Sequence, residues 1–201
     1  YAKWLAQQQG IPVDTKDREE TKRLLLKKAD GARARIESGI ERLATDPEVL
    51  LAFRLANAAM AEAALRRSPD RYSESERPEW RLFQLAFLLL NLPGIATPAH
   101  QDREVVDLLF FPTGGGKTEA YLGLAAFTLV LWRLRNPVVL SAGVSVLMRY
   151  TLRLLTLDQL ARGATMICAL ELERKSNPEK LGDWPFEIGL WVGRAATPNR
   201  M

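Results

Sequence analysis

An α/β fold with parallel strands, preceded by an α-helical module, is the class this sequence predicts, and three features predict it. The first is a strand, a glycine loop and a helix in succession. Val105-Val106-Asp107-Leu108-Leu109-Phe110-Phe111 is short and rich in β-branched and aromatic residues, Gly114-Gly115-Gly116 interrupts it, and a mostly apolar run follows as far as Arg133. The second is a pair of further strand-like runs, 143–148 and 186–192, flanked by glycine, proline or polar residues. The third is an N-terminal portion built from strong helix formers of alternating charge.

In chain order, Leu24, Leu25, Ala29, Ala32, Ile36, Ile40 and Leu43 recur at helical spacing, which predicts an amphipathic helix or helix pair over 14–44 with Asp30-Gly31 as the place for a break. Asp46-Pro47-Glu48 is a start signal, an N-cap followed by proline at the first helical position, for a second helix reaching Arg67. The charge runs of this module read as a solvated face. Residues 68–78 are polar and carry two prolines, so they divide a helical module, 1–77, from a second region, 78–201. A helix over 79–91 presents Leu82, Leu85, Ala86, Leu88 and Leu89 and closes at Leu92-Pro93-Gly94. Beyond the helix after the glycine loop, Asn136-Pro137 is a stop, Val138-Val139-Leu140 is a connection or an edge piece, and 143–148 is a buried strand. Leu154, Leu157, Ala161, Ala164 and Ile167 then space a helix ending near Lys175, followed by a polar loop and the strand over 186–192.

Composition bounds the chemistry. With 47% hydrophobic and 26% charged residues the chain can bury a core, and a net charge of +4 permits contact with a polyanion without demanding it. Cys168 is the one cysteine and His100 the one histidine, which excludes an intramolecular disulfide, a zinc site and a histidine-based catalytic triad, and fits a reducing, cytoplasmic setting. The longest apolar runs, 85–90 and 121–132, fall short of the ~20 residues needed to span a bilayer, so they read as core and no membrane is expected. A chain that starts at Tyr1 rather than methionine is expected to be an excerpt of something longer.

The loop itself has a specific chemistry. Consecutive glycines let Gly114, Gly115 and Gly116 curl so that successive N–H groups converge, and the following helix adds its partial positive charge, which together suit phosphate oxygens. Lys117 would reach the β- and γ-phosphates and the Thr118 hydroxyl would hold magnesium, so a nucleoside triphosphate with Mg2+ is the expected ligand. The first glycine of the usual phosphate-loop pattern falls at Phe111, while the Gly116-Lys117-Thr118 end is intact. Between Val138 and Ala169 the charged residues are Arg149, Arg153, Asp158 and Arg162, so positive charge gathers at the exit of one expected strand, where guanidinium groups suit a nucleic-acid backbone.

Pro112-Thr113-Gly114-x-Gly116-Lys117-Thr118 resembles motif I of superfamily 2 helicases, whose loop begins with a small residue where this chain has Phe111. Gln84 lies 33 residues before Lys117 in an Arg-x-x-Gln setting that resembles the glutamine with which those helicases read both edges of adenine, with Arg81 or Trp80 covering the base. The run 147–159 resembles their motif Ia, with Thr151 and Arg153 in the polar positions beside Arg149; the family proline is absent and a leucine separates Thr151 from Arg153. Taken together, the segments 111–124, 147–159 and 188–200 resemble the helicase-like large subunit of the DISARM anti-phage defence system.

The resemblance implies the N-terminal part of a RecA-like, P-loop NTPase lobe over 78–201. It further implies an ATP-dependent DNA helicase or translocase at full length, phage DNA as ligand, and a protein partner in a defence complex. Thr113 joins the cofactor-binding set by the same carry-over. The alternative is a non-motor, ATP-dependent DNA-binding or scaffold module; a small-molecule kinase is a third reading, although such kinases usually keep the first glycine. No Asp-Glu pair occurs in the sequence, so this stretch by itself is expected to bind nucleotide and barely hydrolyse it.

Overall fold

Among the described residues, helices form where the apolar spacing put them and the expected strands do not. The computed structural model describes residues 1–72, 76–112, 114–136, 138–150 and 153–191, without the side chains of 138, 139 and 153–156. Its order is α1 (Ala2–Gln9), α2 (Lys16–Thr45), α3 (Pro47–Arg67), α4 (Leu82–Ala96), a short 3-10 helix (Gln101–Glu104), α5 (Lys117–Arg135), a second 3-10 helix (Val138–Ser141), α6 (Arg153–Ser176) and α7 (Pro178–Leu181).

This overturns the expected α/β architecture with parallel strands and, with it, the RecA-like lobe: among the described residues there is no strand and no sheet. In their described residues, the runs expected as strands are non-helical and unpaired. Val106, Leu108 and Phe110 are 94%, 88% and 90% exposed, and Trp191 is 98% exposed. The reason is physical. Alternating β-branched and aromatic residues favour an extended backbone, but a strand is completed only by hydrogen bonds to another strand, and composition does not supply that neighbour. Val138-Val139-Leu140, expected as a connection or edge piece, winds together with Ser141 as a 3-10 turn.

Two units divide the described chain, Tyr1–Leu50 with Trp80–Ala120 and Leu51–Glu79 with Tyr121–Met201, so the boundary falls inside α3 and inside α5. In the first unit α2 is unbroken through Asp30-Gly31. It starts at Thr15, whose side chain accepts from the Arg18 N–H at 3.4 Å. Of the apolar positions spaced along it, Leu24, Leu25 and Ile40 are exposed, while the stripe around Ile36 and Gly39 turns inward against α4. Gly39 is buried, and a Cβ there would overlap the carbonyl oxygen of Leu89. That carbonyl is the one Pro93 cannot serve, since proline lacks the N–H that would bond four residues back. Helix α4 runs through Pro93 and Gly94 to Ala96 instead of closing at 91, with the Leu89 carbonyl facing the bare Cα of Gly39.

Arginines complete this unit. Arg35 donates from Nε to Asp102 at 2.8 Å and in bidentate fashion from Nη1 and Nη2 to Asp107 at 2.6 and 2.7 Å. The Asp107 hydrogen bond, ahead of the opposing effect of burial, pushes the Arg35 guanidinium above its ordinary range. Arg42 bonds the Thr97 hydroxyl and Arg103 donates to the Gly94 carbonyl at 3.2 Å. Residues 102–107, which lead into the glycine loop, are thus tied to α2 by charge.

In the second unit the core gathers small and large apolar side chains of α3, α5 and α6, among them Ala59, Leu122, Phe127, Val130 and Leu170. Gly163 lets α6 approach the side chains of Ile188 and Leu122. Arg133 is 5% exposed; its guanidinium donates to the carbonyls of Leu181 (3.1 Å) and Trp184 and lies 4.5 Å from the centre of the Phe186 ring. Burial, then the neighbouring Arg174, pulls its pKa below the ordinary value. Glu171 accepts from Arg174 Nη2 at 2.9 Å and from the Phe186 N–H, fixing the chain as it leaves α7.

Candidate phosphate-binding loop

The glycine loop, 111–116, sits between the segment anchored by Arg35 and the first residue of α5, Lys117. Gly114 and Gly116 have φ of 77° and 91°, left-handed values that glycine alone adopts without strain. The Gly115 N–H donates to the Pro112 carbonyl at 3.0 Å, closing a turn around Gly114. Side chains from the start of α4 then hold the next two carbonyls. Arg81 Nη1 donates to Gly115 O at 2.8 Å and Gln84 Nε2 donates to Gly116 O at 2.7 Å. Across a trans peptide the C=O and N–H point oppositely. Holding those two carbonyls toward α4 therefore turns the N–H groups of Gly116 and Lys117 the other way, both to one side.

Gln84 is 4% exposed, and its Oε1 accepts the Arg81 N–H at 2.8 Å, the glutamine half of a capping box at the start of α4. Lys117 Nζ donates to the carbonyls of Phe111 and, at 3.1 Å, Pro112, so its ammonium lies over the loop it follows. Phe111, at the position where the usual pattern has glycine, stacks on Phe83 with centroids 3.9 Å apart and planes at 15°, and its ring covers the face of Gly115.

Of the residues singled out in the sequence, Arg81, Gln84, Gly114, Gly115, Gly116, Lys117 and Thr118 are brought into one neighbourhood of the first unit. Thr113, Thr151 and residues 192–200 of the last resembling segment lie outside the described residues, as does the side chain of Arg153. Arg149 belongs to the second unit and is exposed; Arg162 nearby pairs with Asp158 at 3.0 Å. Sequence reading missed Phe83. The signal was available indirectly, since an aromatic at a position that is usually small needs something flat to lie on. No cluster of metal-ligating side chains occurs among the described residues, and no helix among them is long and apolar enough to cross a membrane.

The fold and loop define a helical protein with a glycine-lysine-threonine turn at a helix N-terminus, two of whose carbonyls are clasped by an earlier helix. No known family profile matches the chain. It is similar along its whole length to the DISARM protein DrmA of Bacillus paralicheniformis, 38% identical over 216 residues. The chain spans 19% of the length of that relative.

Proposed function

We propose that this chain is the nucleotide-binding part of a DISARM defence protein, holding ATP with magnesium on the loop 111–118, and that the full-length protein is an ATP-driven helicase or translocase on DNA with a protein partner in the cytoplasm. The observation that carries the nucleotide reading is the pair of clasped carbonyls at Gly115 and Gly116, which aims consecutive N–H groups to one side at the start of a 19-residue helix. Such a cradle is local. It needs the left-handed glycines, the helix N-terminus and the lysine, and it does not need a sheet.

The residues present fit the ligand. Gly116 has a left-handed φ of 91°, where a side chain is strained, and a Cβ there would also crowd Gln84 Nε2 at 2.7 Å; Lys117 is held by neutral carbonyls that a phosphate oxygen outbids as a charge-assisted partner. Thr118, one residue further on, would hold magnesium, which when bound screens the charge of the β- and γ-oxygens. The DNA part of the reading is supported by the exposed Arg149 and by the resemblance of its surroundings to a backbone-gripping motif.

The test is the ATPase rate of the full-length protein with and without single-stranded and double-stranded DNA. Stimulation by either is expected. A rate that neither DNA changes would remove the motor, and turnover-free nucleotide binding that tightens DNA affinity would replace it with a clamp.

A further inference from the structure

We propose that Gln84, together with Arg81, is a positioning residue that shapes the phosphate loop rather than a reader of the base, so that the site takes nucleoside triphosphates with little regard to which base they carry. This rests on the triphosphate reading of the loop. A glutamine amide can discriminate adenine only by offering its N–H and its oxygen together to the purine edge. Here both ends are engaged inside the protein: Nε2 donates to the Gly116 carbonyl at 2.7 Å and Oε1 accepts the Arg81 N–H at 2.8 Å. The neighbours fix the amide orientation, because flipping it would set oxygen against oxygen and N–H against N–H. At 4% exposure the group has no face toward a ligand.

What it does instead follows from the peptide geometry. Gly116 at φ 91° lets two consecutive peptides present their carbonyls to the same side, where Arg81 and Gln84 hold them. The paired N–H groups of Gly116 and Lys117 are aimed by that grip. Loss of either donor frees a carbonyl to swing back and disorganise the cradle for any triphosphate, whatever its base.

The experiment uses the full-length protein, its Gln84→Glu variant and, since Gln84 is buried, a second variant at the exposed Arg81, Arg81→Ala. Binding of ATP, GTP and inorganic tripolyphosphate with magnesium is measured by calorimetry, and amide hydrogen exchange of 114–118 is followed before any ligand is added. The wild type is expected to bind ATP and GTP within about threefold of one another. Both variants should weaken all three ligands alike, by about tenfold, the value of one lost hydrogen bond, and should speed exchange across the loop. A wild-type preference for ATP above about tenfold (roughly 1.4 kcal/mol) that Gln84→Glu erases, with tripolyphosphate binding and loop exchange unchanged, would overturn the proposal. Failure of the wild type to bind any of the three ligands would overturn the triphosphate reading and base indifference with it. The exchange arm decides the positioning role independently, and unchanged exchange in both variants rejects it.

Discussion

Glu171 shows how a single carboxylate reports on the packing around it. Burial alone would raise its pKa, but hydrogen bonds from Arg174 and the Phe186 N–H outweigh that and hold it below the ordinary carboxylate value of 4.5. A depressed folded-state pKa contributes stability that is present above the unfolded value and is lost as pH falls through the folded one. The second unit should therefore lose stability as the pH drops below 4.5 and through the lowered Glu171 value, and Glu171→Gln should flatten that acid limb in thermal melts followed by circular dichroism. Glu173 works in the opposite sense, pushed up by burial and by Glu62, so the single-site variant isolates the Glu171 part. The residues of the loop were legible in the sequence for a related reason. Gly114, Gly115, Gly116 and Lys117 act through neighbours within a few positions, whereas the partner of Gln84, the carbonyl of Gly116, lies 32 residues away and leaves no linear trace.

Among the elements, the crossing of α2 and α4 is the contact the sequence states least openly and depends on most. Pro93 removes the N–H that would serve the Leu89 carbonyl, and Gly39 provides the bare backbone against which that carbonyl fits. Gly39→Ala gains helix propensity yet drives a methyl into backbone, so a net loss of about 2–3 kcal/mol is expected in urea denaturation. A neutral or stabilising effect would mean the two helices do not approach this closely. Helix existence was readable because its signals are local: Asp46 caps α3 as its sequence position indicated, accepting from the N–H of Glu48 and Val49 at 3.1 and 3.2 Å. Which face each helix buries was only partly readable. Leu24, Leu25 and Ile40 have the right period but are exposed, while Arg35, polar by type, carries two aspartates.

For the molecule as a whole, the sheet was the part that sequence reading got wrong. Extended preference in 105–111, 143–148 and 186–192 is local, and pairing those runs with one another is a long-range event that no residue in them specifies. The Arg149 proposal belongs to this scale too, since a polyanion reads a surface and not an element. Arg149→Ala in the full-length protein should weaken DNA binding about equally for all sequences and lower the slope of log affinity against log salt by about one; fluorescence anisotropy across a salt series measures both. Sequence-dependent loss would assign the arginine to base recognition instead.

The central claim, that a triphosphate rests on the 111–118 loop beside Lys117, is tested most directly by titrating full-length wild type and Lys117→Ala with a non-hydrolysable ATP analogue and magnesium in a calorimeter, with melting curves of both proteins alongside. Saturable one-site heat from the wild type, absent from a Lys117→Ala protein that melts at the same temperature, is the predicted result. Equal binding by the two proteins, or none by the wild type, would contradict it.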